Sequence, residues 1–273
     1  MVGTLFIVAT PIGNLEDITL RALRVLREVD TIACEDTRQT GKLLAHFGIQ
    51  KPTVSYHEHN EAARTDELVK KLAAGASVAL VSDAGTPLVS DPGYRLVQAA
   101  IAAGVTVTPI PGPSAALTAL SGAGLPTDSF RFCGFLPAKS SQRRKLLEEF
   151  RAETCTLIFY ETPHRILDAL EDVEAVMGTR PAVVARELTK LHEEFLRGTA
   201  KEIRAELAAR PSVKGEITLL LGKPAESAAT DDTPIEEAVR KAESLGLSRM
   251  DAIKHVAKER GLAKRDVYRK LTE

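Results

Sequence analysis

The sequence predicts an α/β protein of two lobes with a small helical appendage behind them. Three observations carry that prediction. Three apolar runs in the first half each end in a glycine- or proline-bearing turn: Leu5 to Ala9 into Thr10-Pro11-Ile12-Gly13-Asn14, Val78 to Val81 into Ser82 to Gly93, and Val105 to Val107 into Pro109 to Ala116. Runs that are apolar throughout and separated by helix-like stretches read as buried parallel strands. Shorter candidate strands with helices between them follow Leu125, which suggests a mixed sheet. Over 223–233 the composition turns to Pro, Ala, Ser, Thr and Asp, and the chain beyond is helix-like. The reading is therefore an N-terminal lobe at 1–124, a second lobe at 125–222, a linker at 223–233 and a basic helical appendage at 234–273.

In the first lobe, Ile18 to Val29 carries Leu20, Leu23, Val25, Leu26 and Val29 near helical spacing. The short strand Thr31 to Cys34 opens into Glu35-Asp36-Thr37-Arg38, and the next helix closes at Gly48, a C′ residue. Thr53 to Tyr56 runs into His57-Glu58-His59-Asn60, with Asn60 placed to cap a helix ending near Gly75. After the third turn a helix extends to about Gly124. The second lobe offers strands at Phe130 to Phe135, Thr156 to Tyr160, Ala182 to Arg186 and Glu216 to Leu221, with an extended stretch at Glu194 to Arg197. In the appendage Ser248 caps a helix carrying Met250, Ile253, Val256 and Ala257; Gly261 ends it and Ala263 starts another. From Ser248 onward eight Lys or Arg face four Asp or Glu, so any basic character is local there.

Composition bounds the function. At 273 residues the chain accommodates two α/β lobes, and with 44% hydrophobic residues, 4% aromatics and no Trp its core is Leu, Val, Ile and Ala. A net charge of −1 gives no global attraction to nucleic acid. Cys34, Cys133 and Cys155 stand far apart with no CxxC pair, which disfavours a zinc motif or a disulfide framework and fits a reducing cytoplasm. No run approaches the length of a membrane span, and the amino terminus lacks the pattern of a signal peptide.

In an open parallel sheet the ligand crevice lies outside the carboxyl ends of the strands. Glycine lets a ligand approach the backbone, and proline fixes the turn while leaving its carbonyl free. The three turns thus predict a small-molecule pocket on one rim. A GxGxxG fingerprint, a GxxxxGKS/T loop, GxSxG and HExxH are all missing, which points away from dinucleotides, nucleoside triphosphates and metalloprotease chemistry. Asp83-Ala84-Gly85-Thr86-Pro87 with Asp91-Pro92-Gly93 suits a zwitterionic ligand; its purely local reading makes Asp91 a helix cap and Pro92 the first helical position. Pro111-Gly112-Pro113-Ser114-Ala115 reads as a proline-started helix whose N-terminus attracts a carboxylate.

These turns resemble the tetrapyrrole-methylase superfamily and, within it, the small-subunit ribosomal RNA methyltransferase I family. Further matching segments are Cys34-Glu35-Asp36-Thr37-Arg38, Tyr56-His57-Glu58-His59-Asn60, Gly134-Phe135-Leu136-Pro137, Tyr160-Glu161-Thr162-Pro163-His164-Arg165, Arg186-Glu187-Leu188-Thr189-Lys190 and Lys214-Gly215-Glu216. The likeness runs from about residue 3 to residue 222 and is weaker in the tail. It implies a two-lobed tetrapyrrole-methylase-like fold, S-adenosylmethionine as cofactor, 16S ribosomal RNA as partner and a homodimer. The implied activity is methylation of a cytidine ribose 2′-hydroxyl without a metal. By the same resemblance Pro11, Asp83, Gly85, Thr86, Val89, Pro113, Ser114 and Ala115 line the cofactor cleft from the first lobe. Tyr160, Arg186, Leu188, Gly215 and Glu216 close it from the second.

Such chemistry needs the acceptor oxygen held in line behind the methyl at roughly 3–3.5 Å, worth about 7–11 kcal/mol of the barrier. A ribose hydroxyl barely ionises at neutral pH, so a positioned base adds roughly 10²–10⁴-fold. Glu35, Asp36, His57 and Glu161 are the candidates at strand ends, and Asp36 and His57 are expected to be catalytic, although Asp36 also reads as a helix cap. His57 and His59 alternate along a strand end and so face opposite ways, which argues against a shared metal. For RNA contact the candidates are Glu35, Arg38, His59, Asn60, Lys139, Arg143, Arg144 and Glu161, and charge reversal at Arg143 and Arg144 is expected to weaken binding. Two other classes fit less well: a corrin-type small-molecule methyltransferase, and a ligand-sensing regulator that binds nucleic acid.

Overall fold

The structure, a computed structural model, describes residues 2–224, 234–244, 246–259, 262 and 264–271. Of the expected linker only Lys223 and Pro224 are described; 225–233, Gly261 and Ala263 lie outside the described residues. The chain divides into two compact units, Met1–Pro224 and Ala225–Glu273.

The first unit holds two five-stranded sheets. β1 (Thr4–Val8), α1 (Leu20–Glu28), β2 (Thr31–Cys34), α2 (Thr37–His46), β3 (Thr53–Ser55), α3 (Glu61–Ala73), β4 (Val78–Val81), α4 (Tyr94–Ala102), β5 (Thr106–Ile110) and α5 (Ala115–Ala123) follow in turn. All strand pairings are parallel, in the order β3-β2-β4-β1-β5. The turns after β2, β4, β1 and β5 therefore gather on one rim. One face of the sheet packs on Ala22, Val25 and Leu26 of α1, the other on Leu68, Leu72 and Leu96 of α3 and α4. Both faces are covered, which is why the strands read as continuous apolar runs.

Three local expectations change. β5 runs on through Pro109, which pairs opposite Ile7; proline is tolerated because β5 is an edge strand and its missing N–H faces away from the ladder. Helix α4 starts at Tyr94, with Gly93 at φ 138° as its N-cap, so Asp91 and Pro92 are neither cap nor first turn. Leu88 and Ser90, at φ 71° and 66°, already break any helical course before that point. Residues 57–60 form a turn: the Asn60 side chain accepts from the His57 N–H at 2.9 Å and donates to the Ser55 carbonyl instead of capping α3. His57 and His59 consequently do not point apart, and their rings meet edge to face at 5.9 Å.

The second sheet is built from β6 (Phe130–Phe135), β7 (Thr156–Glu161), β8 (Pro181–Arg186), β9 (Glu194–Thr199) and β10 (Ile217–Leu221), with α6 (Ser140–Glu149), α7 (Ile166–Met177) and α8 (Ala200–Ala208) between them. Its order is β6-β7-β10-β8-β9; only β6 and β7 run parallel, so the sheet is mixed. One face buries Leu147, Leu170 and Ile203 from its own helices. The other is covered by α5, whose Ala116, Ala119, Leu120 and Ala123 pack with Ile158, Val183, Ala185 and Leu220. A helix read as the end of the first lobe thus packs on the second sheet, together with Ile12 of the β1 turn.

Between α6 and α7, Asp172 collects Arg143, Arg144 and Ser140. Arg143 is only 3% exposed, a buried strut whose guanidinium also donates to the Pro137 and Ala138 carbonyls. This corrects the expectation that it meets RNA.

The second unit holds α9 (Ile235–Ser244), α10 (Arg249–Glu259) and α11 (Lys264–Lys270) around Val239, Ala242, Ile253, Val256 and Val267. Ser248 caps α10 by accepting from the Asp251 N–H, while Met250 faces solvent. No helix among the described residues is long and apolar enough to cross a membrane.

Candidate active site

The rim turns are tied to one another before any ligand is considered. Thr10 and Gly85 exchange both backbone hydrogen bonds, at 2.9 and 3.0 Å, joining the turns after β1 and β4. The Thr10 hydroxyl donates to the Ser82 carbonyl at 3.0 Å, and the Thr86 hydroxyl to the Pro113 carbonyl at 3.0 Å, which brings in the turn after β5. Gly85 sits at φ 83°, and a Cβ there would stand 3.3 Å from Ile12, so a side chain would be both strained and crowded. From the β2 turn, the Asp36 N–H donates to the Asp83 carboxylate at 3.1 Å.

These turns wall a cavity of ≈ 600 Å³ between the two sheets, a size typical of small-molecule sites. Asp83, Gly85, Thr86, Val89, Ser90 and Asp91 come from the β4 turn, and Ser114 and Ala115 from the start of α5. Phe135, Tyr160, Glu161, the turn at Gly215 and Glu216 and the start of β10 come from the second sheet. Tyr160 is held edge-on by Phe132 at 4.9 Å and Phe135 at 5.6 Å. The four non-glycine residues at positive φ among the described residues, Leu88, Ser90, Glu187 and Thr189, lie on the two turns that flank this cavity. Such conformations cost of order 1–3 kcal/mol each and persist where the surroundings over-determine them.

The electrostatics are one-sided. Among the described residues five carboxylates line the cavity, from Asp83, Asp91, Glu161, Glu187 and Glu216, against the single ammonium of Lys190. Glu161 is committed elsewhere, accepting from the Thr162 N–H at 2.6 Å and from the Arg165 guanidinium. Lys190 Nζ donates to Glu187 at 2.8 Å and Glu216 at 3.0 Å. Asp83 and Asp91 are left facing the cavity with no ion pair among the described residues. Burial pushes the Asp91 carboxyl up to about 6, reinforced by Glu35 and Asp83 and opposed by a hydrogen bond from Ser82. Glu35 is raised too, by burial and then by Asp83 and Glu58.

A second cavity of ≈ 520 Å³ lies alongside, between the β1 turn and α2. Thr10, Pro11, Gly13, Leu15, Gln39, Lys42 and Leu43 line it alone, while Ile12, Asp83, Ala84, Lys190 and Glu216 belong to both cavities.

Of the residues expected at the cofactor, Asp83, Gly85, Thr86, Val89, Ser114, Ala115, Tyr160, Gly215 and Glu216 line the first cavity. Pro11 lines the second, and Pro113 contributes its carbonyl to Thr86. Arg186 lines neither; it pairs with Glu194 at 3.0 Å and holds the Lys214 carbonyl. Leu188 is buried in the core between α5 and the second sheet. Asp36 and His57, the expected catalytic pair, line neither cavity. Asp36 caps α2 and is forked by the Arg38 guanidinium, which holds its carboxyl down at about 2, too acidic for a base at neutral pH. The His57 ring contacts Asn60.

Glu161 lines the first cavity; Arg38, His59, Lys139 and Arg144 are exposed outside both. The sequence reading missed Lys190 and Glu187 as site residues, and it treated Asp91 only as part of its turn. The spacing of Glu187 and Lys190, three residues apart in one polar turn, is the signal that was available.

Residues 4–204 match the family model of the tetrapyrrole (corrin/porphyrin) methylases. A protein of Halalkalibacterium halodurans named ribosomal RNA small subunit methyltransferase I is 50% identical over 272 residues, covering 97% of this chain and 93% of that one. One of the same name from Haemophilus influenzae is 49% identical over 275 residues, covering 98% and 96%. Among solved structures, uroporphyrin-III C-methyltransferase from Thermus thermophilus complexed with S-adenyl homocysteine superposes with a TM-score of 0.55 at 20% identity, over 81% of this chain and 97% of that one. With a fold of this kind and near-full-length relatives half identical to it, the chain belongs to the tetrapyrrole methylases and, within them, to the small-subunit ribosomal RNA methyltransferase I family.

Proposed function

We propose that this chain transfers a methyl from S-adenosylmethionine to the ribose 2′-hydroxyl of a cytidine in 16S ribosomal RNA. The observation that carries the reading is the carboxylate-rich cavity on the rim of the parallel sheet, with a second cavity sharing its wall. S-adenosylmethionine bears a positive sulfur and an ammonium, and the unpaired carboxylates of Asp83 and Asp91 fit those charges. Its carboxylate fits the N-terminus of α5 at Ser114 and Ala115. The half-buried Tyr160 and the turn at Gly215 and Glu216 remain for the adenine. Bound there, the cofactor supplies a methyl already made electrophilic by the sulfonium.

The chain's own work is positioning and proton removal. Asp83 faces both cavities, and its carboxylate, oriented by the Asp36 N–H, takes the proton of the acceptor hydroxyl. Asp36 therefore contributes through its backbone. Exposed Lys139 before α6, Arg144 and Lys145 on it, and the locally basic sequence from Ser248 onward support RNA as partner in a chain of net charge −1. The reading extends to a cytoplasmic homodimer acting on the assembled subunit; exposed Tyr94, Ile101 and Leu117 on α4 and α5 support the dimer.

Labelled S-adenosylmethionine, incubated with small subunits lacking their modifications and followed by nucleoside analysis, is expected to yield 2′-O-methylcytidine. Tight cofactor binding without label in the RNA would move the acceptor to a small molecule.

Asp91 adds a pH signature. Cofactor affinity is expected to fall as pH drops through about 6, where its carboxyl gains a proton. Loss of one hydrogen bond to a charged group is worth about 1.5–3 kcal/mol, so Asp91→Asn weakens binding about 10–100-fold at pH 8 and little at pH 5, read by calorimetry. The stability sign is opposite. A carboxyl raised in the folded state stabilises below its unfolded value of 3.8 and loses that contribution as pH rises through about 6. Asp91→Asn therefore raises the Tm of the unliganded protein at pH 8 but not at pH 4.

A further inference from the structure

We propose that the second cavity, between the β1 turn and α2, seats the acceptor nucleotide, with its pyrimidine against Leu15 and Leu43 and a flanking phosphate on Lys42. The inference deepens the proposed function and rests on it. In-line transfer needs donor and acceptor on either side of one plane at roughly 3–3.5 Å, and these two cavities have a common wall in Ile12, Asp83, Ala84, Lys190 and Glu216.

The chemistry of the two cavities differs as the two ligands do. Around the first, the lining favours a cation. The second adds Lys42, whose Nζ donates to the neutral Gln39 at 3.1 Å and pairs with no carboxylate among the described residues. A cation without a carboxylate beside an acidic cleft suits a phosphate. Leu15 is 39% exposed at this cavity, an apolar surface left uncovered, and Leu43 is half-buried next to it. Both offer apolar surface to a base that has been drawn out of its stack, as an enzyme acting on an unpaired nucleotide requires.

The common wall is also built with unusual care. Thr189, a β-branched residue, is held at φ 65° immediately before Lys190, and its hydroxyl is buried without a hydrogen-bond partner among the described residues. A Cβ on Gly13 would fall 2.5 Å from Lys190 Cγ and 2.9 Å from the Thr189 hydroxyl, so glycine in the β1 turn makes room for the lysine stem. With Glu187 and Glu216 gripping its ammonium, Lys190 stands as a fixed charge beside both cavities.

The test uses the full chain and unmodified small subunits, with Lys42→Glu and Leu15→Asp, both at exposed positions, and Lys70→Glu on α3 as control. Lys42→Glu is expected to raise KM for the subunit about tenfold, with the cofactor Kd, the Tm and kcat at saturation unchanged. The salt dependence of subunit binding is expected to lose about one unit of slope. Leu15→Asp is expected to lower kcat/KM for the subunit about tenfold with the cofactor Kd intact, and Lys70→Glu to behave as wild type. Wild-type KM and salt slope in Lys42→Glu together with wild-type kcat/KM in Leu15→Asp would overturn the subsite. Absence of methyl transfer by the wild-type protein would instead overturn the function on which it rests.

Discussion

Asp83→Asn is expected to lower methyl-transfer turnover by about 10²–10⁴-fold, the range for loss of a positioned base. The substitution keeps the shape of the side chain and an oxygen able to accept from the Asp36 N–H, so the β4 turn retains its anchor to the β2 turn. What changes is the charge and the ability to take a proton. Among the carboxylates lining the first cavity, Glu161 is occupied by Arg165, and Glu187 and Glu216 by Lys190. Asp91 lines only the first cavity, whereas Asp83 lines both. Turnover at saturating cofactor and subunit, set beside cofactor binding by calorimetry, separates the roles. A base shows the loss mainly in kcat; a residue that only attracts the cofactor shows it in Kd. Turnover within tenfold of wild type would assign the proton to another acceptor.

For stability, the largest expected effect is at Asp172. Its carboxylate receives the Arg143 guanidinium through Nε at 2.7 Å and Nη2 at 2.6 Å, Arg144 Nε at 2.5 Å and the Ser140 hydroxyl at 3.0 Å. The Asp172 and Arg143 side chains are each only 3% exposed. Removing one member of such a pair strands a buried charge, which costs about 3–5 kcal/mol. Asp172→Ala is expected to lose that much in urea unfolding of the full chain, and the double variant Arg143→Met/Asp172→Leu to recover most of it. Failure of the double variant to recover would mean that the pair also sets the packing of α6 on α7.

The pH dependence has a definite sign. Burial opposes ionisation of Asp172, but the hydrogen bonds from Arg144, Ser140 and Arg143 outweigh it and lower the folded value below 3.8. The contribution is present above about pH 4 and is lost as pH falls through the lowered value. Charge reversal at Arg143 should accordingly unfold this part of the chain before it reports on RNA; Arg144, half-exposed, is the residue to reverse for that purpose.

Much of the architecture was legible because it is local. A strand buried on both faces is apolar at every position, and its neighbours in sequence declare it: Val78 to Val81 stands out whatever lies around it. Turns that need positive φ or a fixed φ declare themselves through Gly and Pro, so the rim after β1, β4 and β5 was visible, and eight of the thirteen cofactor candidates lie on its turns. The other candidates show where such reading stops. Arg186 and Leu188 sit in the same segment as Glu187 and Lys190, yet the first faces Glu194 and the second the core, while the other two line the cavity. Which side of a turn reaches the ligand depends on its backbone path, here taken through two left-handed residues that no glycine announces.

Charged residues mark the same boundary. An arginine beside basic neighbours looks like a nucleic-acid contact until its partner is known, and the partner of Arg143 lies 29 residues away on another helix. Asp36 looks like a base until Arg38 is seen to fork it, and Lys190 acquires meaning only when Glu216, 26 residues on, closes over it. The parallel sheet, the mixed sheet, the rim of turns on the first of them and the kind of ligand that rim suits were legible in the residues, because apolar runs and turn residues are constrained by their own backbone. Which carboxylates stay unpaired, that α5 packs on the second sheet, and that two cavities meet at Asp83 and Lys190 emerge only in the fold. Those outcomes depend on the solvation and pairing of charges brought together from distant segments, and no local pattern records them.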